Sequence, residues 1–271
     1  MTLREAITRL SEAGVSSPEY DARLIYRELG GIHDILLFNR DAESDRPEVI
    51  SAVERRATGE PLQYILGSVG FYREEYKVSP ACLIPREDTE VLVDYAVKNL
   101  PEGGRFIDLC TGSGCIAIST LKNTRGTTAV AVDVSRPALR IAKENAALNG
   151  VSNRLTLTEA DLTEGLTLSQ GEFDAVLSNP PYVSEEEYAG LERELMHEPK
   201  IALSDGGDGS RFYKLIVPMA KELIKKDGFI AMEIGHKQAP LLRAIAEENH
   251  LLCEILTDLS GNDRVAVMRL N

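Results

Sequence analysis

The sequence predicts an α/β protein: a seven-stranded, mostly parallel sheet with an antiparallel last strand, preceded by a small N-terminal helical bundle. Three observations carry this. Residues 2–60 show the helical spacing of apolar side chains and few strand signals. From about residue 89, short apolar runs alternate with amphipathic stretches, the order that builds a parallel sheet covered by helices on both faces. The last two runs, 252–258 and 264–270, are separated only by Leu259-Ser260-Gly261-Asn262-Asp263. That linker is too short for a crossover helix, so the final strand must return antiparallel.

Each element follows from local chemistry. Thr2 to Leu10 places apolar residues three and four apart and stops before Gly14. Ser17-Pro18 reads as an N-cap followed by proline at the first helical position, and the helix runs through Ala22, Ile25 and Leu29 to Gly30-Gly31. A short apolar stretch, Ile35-Leu36-Leu37-Phe38, and a helix from Pro47 to about Thr58 complete the bundle, which Gly59-Glu60-Pro61 ends. Between Tyr64 and Pro85 the chain reads as extended, with Phe71-Tyr72 and Tyr76-Lys77-Val78 as the arms of a hairpin whose turn residues are unusual. A helix over 89–99 follows. Strands are expected at 105–110, 128–134, 155–160, 173–179 and 228–234 besides the last two, with helices over 114–123, 136–149, 209–226 and 238–249. The expected domains are residues 1–75, with a hairpin linker to about 85, and residues 86–271.

A content of 43% hydrophobic and 27% charged residues is that of an ordinary globular protein. No stretch is apolar enough for a membrane span, and Met1-Thr2-Leu3-Arg4-Glu5 reads as amphipathic helix rather than a leader, so no membrane partner and a cytoplasmic location are expected. The net charge of −13 argues against a polyanion-binding protein, which needs clustered Lys and Arg. Cys82, Cys110, Cys115 and Cys253 form no Cys-x-x-Cys pair, and His33, His197, His236 and His250 do not join them at metal-ligand spacing. Reduced, mostly buried thiols and no metal are expected.

The most informative four residues are Asn179-Pro180-Pro181-Tyr182, directly after the buried strand Phe173 to Ser178. At a strand's end they can form a rigid cup for a planar NH2 group. The Asn179 side-chain oxygen and the Pro180 carbonyl accept the two N–H bonds, and the Tyr182 ring covers the flat face. The two prolines exclude helical geometry from the residues before them, which stiffens the loop. An ordinary strand-ending turn uses the same residue types, so the rest of the chain decides.

Phe106 to Ile118 reads as strand, small-residue loop and helix start, with Asp108, Cys110, Thr111, Gly112, Ser113 and Gly114 as candidate cofactor contacts. Asp133, ending the second strand, is placed to accept both hydroxyls of a ribose. Asp161, after the third strand, can accept from an adenine amino group while Leu162 packs the ring. Three such features at the carboxyl ends of consecutive strands form one crevice. The loop lacks the Lys-Ser/Thr of a phosphate loop. A ligand with ribose and adenine but no required pyrophosphate, S-adenosyl-L-methionine, fits better than NAD or ATP. With the reversed last hairpin, the sheet points to a Rossmann-like class I methyltransferase.

With these residues assembled, the chain resembles the HemK/PrmC family of protein-glutamine N5-methyltransferases over nearly its full length. The resemblance rests on Gly59-Glu60-Pro61-Leu62-Gln63-Tyr64-Ile65, Leu83-Ile84-Pro85-Arg86-Glu87-Asp88-Thr89-Glu90 and Asp108 to Gly114. It continues through Asn179 to Tyr182, Glu198-Pro199 with Ala202-Leu203, and Asp258 with Gly261-Asn262-Asp263-Arg264. It implies methylation of the glutamine in the Gly-Gly-Gln motif of peptide chain release factors, with S-adenosyl-L-homocysteine as product. It makes Asn179, Pro180 and Tyr182 the catalytic set, with Asn179 also beside the cofactor. Leu83, Arg86, Glu90 and Pro181 would wall the glutamine pocket, and residues 1–75 would recognise the protein substrate. The plainer reading of Arg86 to Glu90 is a helix cap with a surface ion pair. Arg264 is expected to be structural, and neither His197 nor His236 is needed as a base. Two departures stand out: Cys110 where the family often has glycine, and Glu87 where proline often follows the arginine. A monomer is expected. The rivals are an amino-methyltransferase acting on adenine or guanine in nucleic acid, which would flip its base into the same cup, and a non-catalytic cofactor-binding adaptor.

Overall fold

The computed structural model describes residues 1–33, 38–166 and 170–271. The apolar stretch Ile35-Leu36-Leu37 lies outside them. The chain divides into two compact units. The first comprises Met1–Ser68 with Glu192–His197, the second Val69–Leu191 with Glu198–Asn271.

The first unit is helical: α1 (Leu3–Glu12), α2 (Pro18–Glu28), α3 (Pro47–Ala57) and the short α4 (Leu62–Leu66). Thr2 opens α1 with a capping box, its hydroxyl accepting from Glu5 N while the Glu5 carboxylate accepts from Thr2 N. Ser17 stands at the N-cap of α2 as expected, but Pro18 at the first position does the work, since the serine side chain makes no capping bond. Leu3, Leu10, Ile25, Val49 and Val53 are fully buried on the facing stripes. Inside this unit Arg56, nearly buried, donates to Asp21 at 2.7 Å and to Glu194 at 3.0 Å. Helix α4 went unread because Gly59-Glu60-Pro61 ends the preceding helix, whereas Pro61 in fact opens the next one.

The second unit begins with a hairpin, β1 (Ser68–Phe71) and β2 (Glu74–Lys77), set a few residues earlier than the apolar pattern predicts. Its turn places Tyr72 at φ +58°, and α5 (Glu90–Asn99) holds that residue: Tyr72 N donates to Glu90 at 2.7 Å and its hydroxyl to Asp94 at 2.7 Å.

Seven strands then form one sheet: β3 (Arg105–Leu109), β4 (Thr128–Asp133), β5 (Leu155–Glu159), β6 (Phe173–Ser178), β7 (Ile224–Glu233), β8 (Leu251–Thr257) and β9 (Asp263–Leu270). Their order is β5-β4-β3-β6-β7-β9-β8, with β9 antiparallel to both neighbours. The reversed last strand is therefore as the short linker requires. Side chains alternate along β3: Phe106 joins the core under α5, α6 (Cys115–Asn123) and α7 (Arg136–Leu148), while Ile107 and Leu109 join the core under α10 (Arg211–Leu223) and α11 (Ala239–Glu248). Helix α10 stops at Leu223 and β7 starts at Ile224, earlier than the sequence suggests. The pairing of β6 with β7 shifts register between Phe173 and Ala175, which lets Lys225 to Gly228 loop within the strand. Two short helices, α8 (Glu185–Tyr188) and α9 (Lys200–Leu203), follow the Asn-Pro-Pro-Tyr segment. Among the described residues, no helix is long and apolar enough to cross a membrane.

Because β3 has β4 on one side and β6 on the other, the chain changes direction there. A crevice opens at the carboxyl ends of the strands at such a point.

Candidate active site

A cavity of about 480 Å³ opens at these strand ends, inside the second unit. It is of a size that accepts a small organic ligand. Each strand delivers its contribution at the same height: Cys110 to Ser113 after β3, Asp133 ending β4, Asp161 and Leu162 after β5, and Asn179 and Pro181 after β6 all line it. Leu83 and Arg86 line it from the segment before α5.

Asp108 and Gly114 are not at the surface of the cavity; they build the loop that is. Asp108 is fully buried, and its Oδ2 accepts from Thr111 Oγ1 at 2.5 Å. Burial pushes its carboxyl up to about 7. Gly114 has φ +83°, and a Cβ there would sit 2.9 Å from Ile118 Cδ1 and 3.2 Å from Ala142 Cβ, so only glycine fits the joint. Cys110 also has positive φ, +61°, which accounts for a preference for glycine at that place. Its thiol packs against the apolar core. Cys110→Gly is expected to shift stability by less than about 1 kcal/mol, relieved strain offsetting added unfolded-chain entropy. A thermal melt checks this.

Asp133 is the electrostatic centre of the crevice. Its Oδ2 accepts from Gly112 N and its Oδ1 from Ser135 N, each at 2.8 Å. The Gly112 N–H is therefore spent inside the protein rather than offered to a ligand, contrary to the simplest reading of a glycine-rich loop. Burial raises the Asp133 carboxyl, and the backbone N–H bonds pull the other way. The carboxylate lines the cavity with acceptor capacity beyond these backbone bonds, which the hydroxyls of a ribose can use. Asp161 caps the turn Leu162–Glu164, its Oδ1 accepting from Thr163 N and Oγ1 at 2.8 and 2.7 Å. Those bonds hold its carboxyl below the usual range and leave Oδ2 for an adenine amino group. Leu162 is nearly buried beside it. The residues present thus fit S-adenosyl-L-methionine. Asp133→Ala is expected to weaken its binding by about 1.5–3 kcal/mol, for two hydroxyls losing a charged acceptor. Unchanged affinity in calorimetry would place the ribose elsewhere.

On the other side of the cavity, Asn179 Nδ2 donates to Thr89 Oγ1 at 3.3 Å. Thr89 in turn donates to Glu233 Oε2 at 2.5 Å, and Tyr182 donates to Glu233 Oε1 at 3.2 Å. The Tyr182 backbone carbonyl accepts from Gln238 at 3.1 Å, and its ring packs against the sheet's core. Pro180, buried, and Tyr182, half-buried, stand behind the lining residues rather than among them. Tyr182 is therefore anchored as a prop of the loop, not presented as a face over the cavity. Burial, with the Glu233 carboxylate beside it, holds its phenol far above the usual range, so it donates.

Arg86 occupies the N-cap of the 87–89 turn without capping it. Its guanidinium instead donates to Glu198, a nearly buried carboxylate whose second oxygen accepts from Ile84 N at 2.9 Å. This pair clasps two segments of the cavity wall, since Pro199 to Ala202 line it as well. Glu90 is not brought to the cavity; its carboxylate serves Tyr72 N. Arg264 is structural, held at 2.8 Å by Asp258 and at 3.0 Å by Asp88. Glu87 begins the short turn without the proline.

Thr89, Glu233, Arg211 and Phe212 are functional candidates that sequence reasoning passed over. Arg211 and Phe212, at the start of α10, line the cavity. Glu233 ends β7 one position beyond Met232, which pairs with Ser178, so it lies level with Asn179. Its position at a strand's carboxyl end was the available signal.

Comparison with known proteins agrees with this architecture. The methyltransferase small domain matches residues 87–226, and the PrmC N-terminal domain matches residues 2–67. The release factor glutamine methyltransferase of Nitratidesulfovibrio vulgaris is 37% identical over 278 residues, covering 99% of this chain and 94% of that protein. The release factor glutamine methyltransferase of Geobacter sulfurreducens is 36% identical over 267 residues, covering 96% and 93%. In fold alone, the crystal structure of the ribosomal protein L11 methylase from Lactobacillus delbrueckii subsp. bulgaricus is similar, with a TM-score of 0.51 at 20% identity, over 69% of this chain and 81% of that one. The chain belongs to the release factor glutamine methyltransferase family.

Proposed function

We propose that this protein transfers a methyl group from S-adenosyl-L-methionine to the side-chain amide nitrogen of the glutamine in the Gly-Gly-Gln motif of peptide chain release factors. The observation that carries this reading is the Asn179 amide at the cavity wall. Its nitrogen is engaged by Thr89 at 3.3 Å, which leaves its oxygen to accept from a substrate N–H. An amide nitrogen is a poor nucleophile because its lone pair is delocalised into the carbonyl, so orientation must do most of the work.

The cofactor supplies a methyl group bonded to a positively charged sulfur. Asp133, Asp161 and the Cys110 to Ser113 loop hold it on one side of the cavity. Asn179 Oδ1 accepts one of the amide hydrogens and turns the nitrogen toward the cofactor side of the cavity. That acceptor also favours the positive charge that builds on nitrogen, with no reorganisation at the moment of reaction. With S-adenosyl-L-methionine held there, the amide nitrogen would supply the electron pair of the new N–C bond and sulfur would keep the C–S pair. The nitrogen then gives a proton to water, leaving S-adenosyl-L-homocysteine. Leu83 supplies an apolar wall, and the Arg86–Glu198 pair holds that wall in shape. The first unit is the substrate-recognition part, and the enzyme acts as a cytoplasmic monomer.

The test is incubation with labelled S-adenosyl-L-methionine and, separately, release factor, DNA and RNA. Label entering release factor alone supports the reading. Label entering nucleic acid alone would assign the cup to a flipped base, and label entering none of them would leave a binding protein.

A further inference from the structure

We infer that Glu233 and Thr89 are positioning residues that set the polarity of the Asn179 amide, so that its oxygen and not its nitrogen faces the substrate. The inference rests on the reading of Asn179 as the acceptor for the glutamine amide.

The available protons fix the direction of each bond. An ionised carboxylate can only accept, and a threonine hydroxyl has one proton to give. Thr89 gives that proton to Glu233 Oε2 at 2.5 Å, so toward Asn179 it can only accept. Asn179 must then present its NH2 to Thr89, as it does at 3.3 Å, and its Oδ1 is turned away toward the cavity. Tyr182 spends its own proton on Glu233 Oε1 at 3.2 Å, so both polar ends of the Asn-Pro-Pro-Tyr loop are oriented by one carboxylate. Thr89 and Glu233 are both nearly buried, so water does not compete for these bonds.

If Glu233 takes up a proton, the logic is lost. The acid can then donate to Thr89, which frees the threonine proton for Asn179 Oδ1. The amide can turn over and point its NH2 at a substrate NH2, a pairing with no acceptor.

The groups facing Glu233 set when this happens. Burial raises its carboxyl, Thr89 and Tyr182 lower it by donating, Asp88 raises it and Arg264 lowers it, with the sum at about 7. Tyr213 from α10 donates to Gln238 Oε1 at 2.9 Å with the Glu233 backbone carbonyl 3.3 Å from the same hydroxyl, and Cys115 lies near on α6. Neither adds charge, because burial holds both in their protonated forms, the thiol being pushed up to about 12. A raised carboxyl is ionised above its own value, so the competent polarity is present above about pH 7 and lost below it.

The experiment measures kcat and KM of the full-length enzyme on intact release factor across pH, at saturating cofactor. Cofactor affinity is followed by calorimetry in each variant. Wild type should lose kcat on the acid side of about pH 7. Glu233→Gln should lower kcat roughly tenfold to a hundredfold, as misdirecting one preorganised acceptor does, with KM and cofactor affinity little changed and the acid limb gone. Thr89→Val should cause a similar loss, and Thr89→Ser, which keeps the hydroxyl, should restore most of it. A purely structural role would move affinity and melting temperature together and would not remove a pH limb. Wild-type kcat and an unchanged acid limb in both Glu233→Gln and Thr89→Val, with Asn179→Ala inactive, would overturn this inference alone. Full activity in Asn179→Ala would overturn the reading beneath it.

Discussion

Asn179→Ala is expected to lower kcat by roughly a hundredfold or more while leaving cofactor affinity nearly intact. The substitution removes an acceptor aimed at the transferring nitrogen, not a group on the ribose or adenine side. Asp133 and Asp161 keep their bonds to Gly112, Ser135 and Thr163, none of which involves Asn179. The Thr89 hydroxyl loses a donor but keeps its bond to Glu233, so the cavity wall stays in place. Steady-state kinetics on release factor, with calorimetry of the cofactor, separate the two effects. Turnover near the wild-type value would remove the acceptor model.

Removing the first 68 residues is expected to spare cofactor binding and to reduce methylation of intact release factor by on the order of a hundredfold, the scale of a misplaced reactant. Every residue assigned to the cofactor lies in the second unit. The cut belongs after Ser68 and not after residue 75, because the hairpin is part of that unit's core. Tyr76 shares a hydrogen bond with Ser119 at 2.6 Å, and the buried Glu74 accepts from Ser119 at 2.7 Å and from Asn123 at 3.0 Å. What the truncated chain loses is contact area for a protein substrate, along with Arg56, the partner of Glu194. Binding energy from remote contacts is what lets a large substrate place one side chain well. Full-rate methylation of release factor by a soluble, cofactor-binding truncation would refute the recognition role of the bundle.

Most of the fold was legible because each strand of the main sheet is a short apolar run bounded by turn residues. The one topological surprise available, the reversed last strand, is written in the length of Leu259 to Asp263. What escaped were elements whose punctuation misleads: α4, opened by the same Pro61 that seemed to end the bundle, and the start of β7, where Lys225 to Gly228 looks like a helix end. That Cys110, Asp133 and Asp161 line one cavity was legible for the same reason as the strands, since they follow directly from where strands stop.

The substrate side was legible only in part: Leu83, Arg86, Asn179 and Pro181 line the cavity as expected, but the residues behind them escaped. Thr89 and Glu233 are 144 residues apart and meet only through the sheet. Glu233 in sequence is one polar residue after Ala231-Met232, and Glu198 one acid in a polar stretch. Nothing local distinguishes a carboxylate that will be buried as a hub from one that will be solvated. Tyr182 shows the converse. Its motif implied a stacking face, but its hydroxyl found Glu233, and that contact directs the ring into the core.

The methyl group is expected on a glutamine side-chain nitrogen. Fragmentation mass spectrometry of release factor treated with the enzyme and S-adenosyl-L-methionine tests it most directly. The expected result is a gain of one methylene unit on the Gly-Gly-Gln peptide, localised to the glutamine side chain and missing when Asn179→Ala is used. A methyl group on any other residue, or on the glutamine with Asn179→Ala as efficiently as with wild type, would contradict it.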